Sequence, residues 1–306
     1  MPELPEVETI VNDLKKKIVG RKITGVWFDA PKLIKKPKPN ELEKQIKGLK
    51  ITGIKRRGKN ILIYLNSKSK ILNSKLLLIH QKMTGHLLYG KWSFGKAQDK
   101  QKVIVRSLIK GALEEKVNNY IHFILYLDND WQVGLSDLRK FAKILFGQKD
   151  EIENLAELKN LGPEPLDKSF NPPAGEYKFI SLISSQKRKI KQVLMDQNII
   201  AGIGNIYSDE ILWQAKIHPF KPANKLTNKE LKNIYKAMRE ILQKAVKLRG
   251  TSVSDFRDAF GKSGGYAKIL KIYQREGEFC QRCGTVIKRI KMGGRSAHFC
   301  PKCQKI

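Results

Sequence analysis

The sequence has no run approaching the roughly 18 apolar residues that a membrane-spanning helix needs, and no secretory leader pattern ahead of Pro5. These absences argue against a transmembrane or exported protein, and a soluble cytoplasmic one is expected. Cysteine is absent before Cys280, which leaves no distributed thiols for a disulfide scaffold. Acid is scarce: 29 Asp and Glu stand against 60 Lys and Arg, a formal net charge of +31 over 306 residues. A field of that size attracts a polyanion, and nucleic acid is the default because each neutralised phosphate releases counterions. An anionic membrane surface is the alternative partner, so charge alone names no function.

What is present begins with the four cysteines. Cys280-Gln281-Arg282-Cys283 and Cys300-Pro301-Lys302-Cys303 are two CxxC knuckles at zinc-ribbon spacing. Each knuckle turns two thiolates toward one metal, and Zn²⁺ favours four in a tetrahedron. One structural Zn²⁺ is therefore expected on Cys280, Cys283, Cys300 and Cys303. His298 lies between the knuckles, but four thiolates already fill the site, and it reads as an ordinary hairpin residue. The loop 288–295 between them is basic and ends Gly293-Gly294-Arg295.

The chain opens Met1-Pro2-Glu3-Leu4-Pro5-Glu6. Processing normally removes an initiator Met that precedes Pro, which would leave Pro2 with a free secondary amine. An α-amino group titrates near pH 7.7–8.0 and is partly neutral at about pH 7, so it can attack an electrophilic carbon. With Glu3 and Glu6 beside it, the set suffices for Schiff-base chemistry with proton shuttling. On spacing alone the simpler reading is a helix over 5–17 whose glutamates favour its N-terminus.

From 22 to about 146 the pattern is β-rich, with strands expected at 51–54, 60–65, 75–80, 122–127, 131–135 and 140–145 and a turn at Asp128-Asn129-Asp130. Gly and Pro cluster over 161–175, a linker signal. Helices are expected at 177–184, 190–195, 206–215 and 228–248. The Gly-rich stretch ending Gly202-Ile203-Gly204-Asn205 precedes a helix and would put backbone N–H groups and Asn205 at a phosphate-binding start. The whole reads as an α+β multidomain protein: an antiparallel β-sandwich behind an N-terminal helix, a helical domain and a four-cysteine zinc finger.

Three stretches then align with one family. The start Pro2-Glu3-Leu4-Pro5-Glu6-Val7-Glu8-Thr9, the run from Leu194-Met195-Asp196-Gln197 to Gly204-Asn205-Ile206-Tyr207-Ser208-Asp209-Glu210, and the tail from Arg275-Glu276-Gly277-Glu278 to Cys303-Gln304 resemble formamidopyrimidine-DNA glycosylase. The resemblance spans nearly the whole chain. It implies a monomeric base-excision-repair enzyme, associated with the nucleoid, that acts on double-stranded DNA carrying 8-oxoguanine or ring-opened purines. It also implies domains at 1–160 (catalytic β-sandwich), 177–275 (helix–two-turn–helix) and 276–306 (zinc finger), with a linker at 161–176.

The same resemblance implies roles. Pro2 would be the nucleophile on C1′, Glu3 the general acid/base, Glu6 a support for the amine and helix start, and Lys59 a phosphate contact near the lesion. A lysine there would also favour a neutral amine. Base extrusion leaves a gap in the stack. Met83 of His80-Gln81-Lys82-Met83-Thr84-Gly85 and Phe141 of Asp137-Leu138-Arg139-Lys140-Phe141 would fill it, though core packing suits both equally on sequence alone. Arg139 would meet the orphaned cytosine. Lys140, Lys191, Asn205 and Arg295 would grip phosphate, and the loop ending Gly264-Gly265-Tyr266 would close over the flipped base.

The chain departs from the family pattern at Lys140 and Ala142, where Arg and Gly are usual, and at Gln81-Lys82, where Leu-Gly is usual. An insertion at about 90–119 carries a basic stretch at 96–102 and an amphipathic pattern at 103–117 that predicts a helix. It adds DNA contacts, packs on the sheet or does nothing; the sequence leaves these open. Two other functions fit less of the chain: an endonuclease VIII-like glycosylase for oxidised pyrimidines, and a non-catalytic zinc-ribbon binder of nucleic acid.

Overall fold

The computed structural model describes residues 1–66, 74–96 and 103–306. By their contacts these form two compact units, Met1–Lys159 with Arg249–Gly265, and Asn160–Leu248 with Tyr266–Ile306.

The first unit opens with α1 (Leu4–Ile18), whose Leu4, Val7, Ile10, Leu14 and Ile18 recur at helical spacing and are fully buried. Lys15, Lys16 and Lys17 fill its last turn, where the helix dipole favours cations. Then follow β1 (Ile23–Phe28), β2 (Ile34–Lys36), α2 (Pro39–Ile46), β3 (Lys50–Arg57), β4 (Asn60–Asn66), β5 (Lys75–His80) and β6 (His86–Gly90). Next come β7 (Trp92–Lys96), β8 (Val103–Ser107), β9 (Ile121–Leu127), β10 (Gln132–Ser136), β11 (Lys143–Gln148), α3 (Lys149–Glu153) and α4 (Ala156–Lys159). One sheet has the order β1-β9-β10-β6, the other β2-β11-β5-β4-β3, and all pairs are antiparallel except β2 with β11. A single core joins the two sheets and α1, with Ile51, Ile61 and Leu77 from one sheet and Leu87, Leu125 and Leu135 from the other. This is the expected sandwich. Each such aliphatic side chain contributes about 1.5–3 kcal/mol by burial.

Two expectations are corrected here. The predicted helix at 103–117 is instead β8, paired with β7 from Trp92↔Ser107 to Lys96↔Val103, followed by short 3₁₀ turns at Ala112–Glu114 and Lys116–Asn119. The β-branched run Val103-Ile104-Val105 favours a strand, and Gly111 at φ 99° interrupts any helix. Trp92, Val105 and Leu113 from this excursion cover Leu88, Ile121 and Ile124 in a second small core. Its basic stretch lies mostly at 97–102, outside the described residues. The strand expected at 140–145 starts only at Lys143. Asp137 holds 137–142 as a turn, with Lys140 at φ 53°.

The second unit holds α5 (Ala174–Ser184), α6 (Ile190–Met195), α7 (Asn205–Ala215) and α8 (Asn228–Lys247), then the hairpin β12 (Lys288–Met292) and β13 (Arg295–Phe299). The Gly/Pro stretch at 161–165 lies against the turn between α6 and α7: Gly162 N–H donates to Gln197 O at 2.8 Å and Ala201 N–H to Pro163 O at 3.1 Å. A Cβ at Gly162 would fall 2.3 Å from Ile199 O, so only glycine fits.

Candidate active site and nucleic-acid interface

α1 starts immediately after Glu3, which puts Glu3 and Glu6 on one turn, 2% and 1% exposed. Glu6 Oε2 accepts the Glu3 N–H at 2.8 Å, and Glu6 Oε1 accepts the Thr251 N–H at 2.7 Å. The carboxylate therefore caps the helix and also ties the chain start to the segment at 249–265. Pro2 is buried behind Met1. Burial pushes the Met1 α-amine below its ordinary value of 8.0, Glu3 and Glu6 oppose that shift, and Lys59 reinforces it. Lys59 follows Gly58 (φ 56°) in the turn between β3 and β4 and is itself 6% exposed. Pro2, Glu3, Glu6 and Lys59 thus share one buried corner of the first unit.

A second cluster joins two turns. The Thr84 hydroxyl donates to Asp137 Oδ1, while Asp137 Oδ2 accepts the N–H groups of Phe141 and Ala142, each at 2.7 Å. Thr84 Oγ1 in turn accepts the Arg139 N–H at 3.2 Å. The turn that carries Met83 and the turn that carries Arg139, Lys140 and Phe141 are therefore locked together through a fully buried carboxylate. In the sequence Asp137 stands out only as part of a motif. Phe141 is 50% exposed, which excludes core packing for it, and the Arg139 guanidinium lies 4.5 Å from its ring centre. Met83 is half-buried. His80 Nδ1 accepts the Lys82 N–H at 2.9 Å, and burial beside Lys82, Lys59 and Lys143 pushes its imidazole down to about 3. Gln81 is 1% exposed and neither polar atom of its amide has a partner among the described residues.

In the second unit, Asn205 heads α7 and Arg295 heads β13 after Gly293 and Gly294, both at positive φ. They line one cavity of about 450 Å³ with Arg289, Lys291 and His298. Arg289, Lys291 and Arg295 near a helix start suit a phosphate, although Glu276 shares the lining and pairs with Arg289 at 3.0 Å. Lys191 is not on that surface. It is wholly buried, its ammonium bonded to Asp209 Oδ1 at 2.5 Å and to Ser296 O at 2.8 Å. This corrects the expected phosphate contact: the cation joins α6, α7 and β13, and a buried pair of this kind is costly to break. His298 is likewise no ordinary hairpin residue. It is 3% exposed, and its backbone N–H and Nδ1 meet Asp209 Oδ2 at 3.1 and 2.9 Å. Glu210 accepts the N–H groups of Lys271, Ile272 and Tyr273 at about 3 Å, so adjacent acids on α7 fasten two separate segments.

The four cysteine sulfurs lie within 4.8 Å of one another. Thr285 hydrogen bonds push the Cys283 thiol down to about 6, while burial and its cysteine neighbours push Cys303 up to about 12. Four thiols this close ionise together only with a cation among them, and the set fits zinc. Trp213 Nε1–H donates to Cys280 Sγ at 3.4 Å, a contact that orients this ligand.

The expected capping residues divide. A Cβ on Gly264 would sit 2.4 Å from Gly250 O, its N–H donates to Ser252 Oγ at 2.8 Å, and Gly265 bridges to Thr251. Tyr266 belongs to the second unit, 4% exposed, its ring 5.6 Å from that of Tyr207 and its phenol raised by burial.

The profile of the formamidopyrimidine-DNA glycosylase N-terminal domain matches residues 1–144, that of the family's H2TH domain matches 161–257, and that of the zinc finger found in FPG and IleRS matches 277–306. The chain belongs to the formamidopyrimidine-DNA glycosylase family. The formamidopyrimidine-DNA glycosylase of Pelotomaculum thermopropionicum is 38% identical over 307 residues, covering 100% of both chains. Two Lactococcus lactis structures of the family superpose over 100% of both chains at 34% identity. One, with N7-benzyl-Fapy-dG DNA, has a TM-score of 0.81; the other, with DNA containing an oxidized pyrimidine, has 0.80. The glycosylase fold thus runs the length of the chain, and among the described residues no helix is long and apolar enough to cross a membrane.

Proposed function

We infer that this chain is a bifunctional DNA glycosylase and AP lyase of base excision repair, acting on duplex DNA that carries 8-oxoguanine or formamidopyrimidines. Full-length likeness to named glycosylases supports the activity. The observation that carries the assignment of residues is the buried N-terminal corner, where Pro2 lies beside two buried carboxylates and Lys59.

With Met1 removed, the Pro2 nitrogen attacks C1′ of the flipped nucleotide, and the bond from C1′ to the damaged base breaks with its electron pair leaving on the base. Glu3 takes the proton that the attacking nitrogen sheds and delivers it to the sugar ring oxygen as the ring opens, which gives an iminium on Pro2. Proton loss next to the iminium expels the 3′ phosphate, and a second elimination expels the 5′ phosphate. Lys59 keeps the amine neutral beforehand and meets phosphate beside the lesion. Met83, Arg139 and Phe141 occupy the gap left by the base, and Asn205 and Arg295 hold the backbone. Cys280, Cys283, Cys300 and Cys303 would hold one zinc ion, which supplies fold to the finger. A charge of +31 supports a place on the nucleoid.

Oxidised pyrimidines form a second reading, favoured by the Lactococcus lactis relative solved with such DNA. Base release from duplexes with 8-oxoguanine opposite cytosine and with thymine glycol separates the two. Faster release of 8-oxoguanine, abolished by Glu3→Gln with binding retained, is expected. Wild-type turnover by Glu3→Gln would end the role given to Glu3.

A further inference from the structure

We propose that the end of the excursion between β6 and β9, residues 111–119, is a brace that sets the position of the 249–265 segment, making Asn118 and Glu115 positioning residues for base release. The proposal rests on the reading of 249–265 as the segment that closes over the flipped base.

Asn118 is 0% exposed and its amide is fully used. Its Nδ2 donates to Ala112 O at 2.7 Å and Gly261 O at 3.2 Å, and its Oδ1 meets His86 Nε2 at 2.9 Å. The approach at Gly261 is close: φ is +80°, and a Cβ there would lie 2.8 Å from Asn118 Nδ2 and 3.0 Å from the Ala112 carbonyl. Glu115 Oε2 accepts Arg257 Nε–H at 2.8 Å, and Arg257 Nη1 continues to Ser254 O and Phe256 O. The Tyr89 N–H donates to Ala259 O at 2.7 Å. The far end of the segment, 257–261, is thus fastened to the excursion through Asn118 and Glu115, to β6 through Tyr89 and to Arg249 through Asp258, while Thr251 at its near end is fastened to Glu6. The pins leave 252–255 between them, where Val253 is 39% exposed. His86 Nδ1 also lies 3.3 Å from Thr84 O, so the brace reaches the turn that carries Met83. A buried amide with every partner in place holds geometry more firmly than an exposed ion pair, so Asn118 dominates and Glu115 tunes.

The test compares the full-length protein on two duplexes, one with 8-oxoguanine opposite cytosine and one with an abasic site, which has no base to cover. Loss of the brace in Asn118→Ala is expected to slow single-turnover release of 8-oxoguanine by about tenfold, and Glu115→Arg by about fourfold, since misplaced contacts cost rate. Cleavage of the abasic duplex should stay within about twofold of wild type, because that step needs no cap. Glu115 is exposed, so its variant keeps the fold even if Asn118→Ala does not, and adding Arg257→Glu to Glu115→Arg should restore base release. Wild-type rates in both variants, or equal losses on both duplexes, would overturn the brace. A wild-type protein that cuts abasic DNA but releases no 8-oxoguanine would instead fail the lesion reading, and the control arm reports that separately.

Discussion

Glu6 and Thr251 lie 245 positions apart in sequence and meet through a 2.7 Å hydrogen bond from the Thr251 N–H to Glu6 Oε1. The other oxygen of the same carboxylate holds the Glu3 N–H. One buried side chain thereby couples the chain start to a distant segment. A glutamine offers only one oxygen, so Glu6→Gln leaves one of two buried N–H groups without its partner. The expected cost is about 1–3 kcal/mol, read from urea unfolding. Gly250→Ala should act in the same direction, because its φ is +79° and a Cβ would fall 2.9 Å from Glu6 Oε1. Unchanged stability in both would remove Glu6 as the link.

Lys59 lowers the pKa of the Met1 α-amine, in the same direction as burial, and a cation at that place acts with the same sign on the Pro2 amine once Met1 is removed. Taking that charge away in Lys59→Met raises the amine's pKa, so less of it is neutral at any pH below that value. The pH profile of covalent adduct formation should shift to higher pH, with the loss larger at about pH 6.5 than at about pH 9. A profile that falls evenly at both would assign Lys59 to phosphate alone.

His80 is held neutral by burial and by Lys82, Lys59 and Lys143, its imidazole at about 3 against an ordinary 6.5. The folded state thus binds fewer protons than the unfolded chain between those values. Its contribution to stability is complete above about pH 6.5 and is lost as pH falls toward 3. Nitrogen NMR shifts should report a neutral ring at about pH 5, with Nδ1 accepting the Lys82 N–H. A protonated ring at that pH would show that the turn does not shield it.

The finger carries both Arg295 and the His298 contact to Asp209. Stripping zinc, or Cys300→Ser, should therefore loosen β12 and β13 and weaken DNA binding, since metal affinity in such ribbons is folding energy. Metal content and DNA affinity measured on the same samples check this. Full affinity without zinc would mean that the hairpin folds without the metal.

Local signals were readable wherever local chemistry decides the outcome. The strand at 75–80 and the helix at 190–195 follow from pattern alone, and Asn205 begins its helix because Gly204 precedes it. The misses come from partners distant in sequence. Lys191 looks like a free cation until α7 brings Asp209 to it. The strand at 143 begins late because Asp137 captures the next turn, and the 103–117 pattern pairs with β7 instead of coiling. A period-based reading cannot see an ion pair or a strand partner that the fold supplies.

The central claim is that the chain's own terminal amine does the chemistry from the buried corner of Glu3, Glu6 and Lys59. Borohydride reduction in the presence of a duplex with 8-oxoguanine opposite cytosine, followed by mass spectrometry of the N-terminal peptide, tests it directly. The account predicts Met1 absent and one reduced deoxyribose adduct on Pro2. A protein with Met1 removed and zinc bound that cleaves this duplex yet yields no adduct on Pro2 would contradict it.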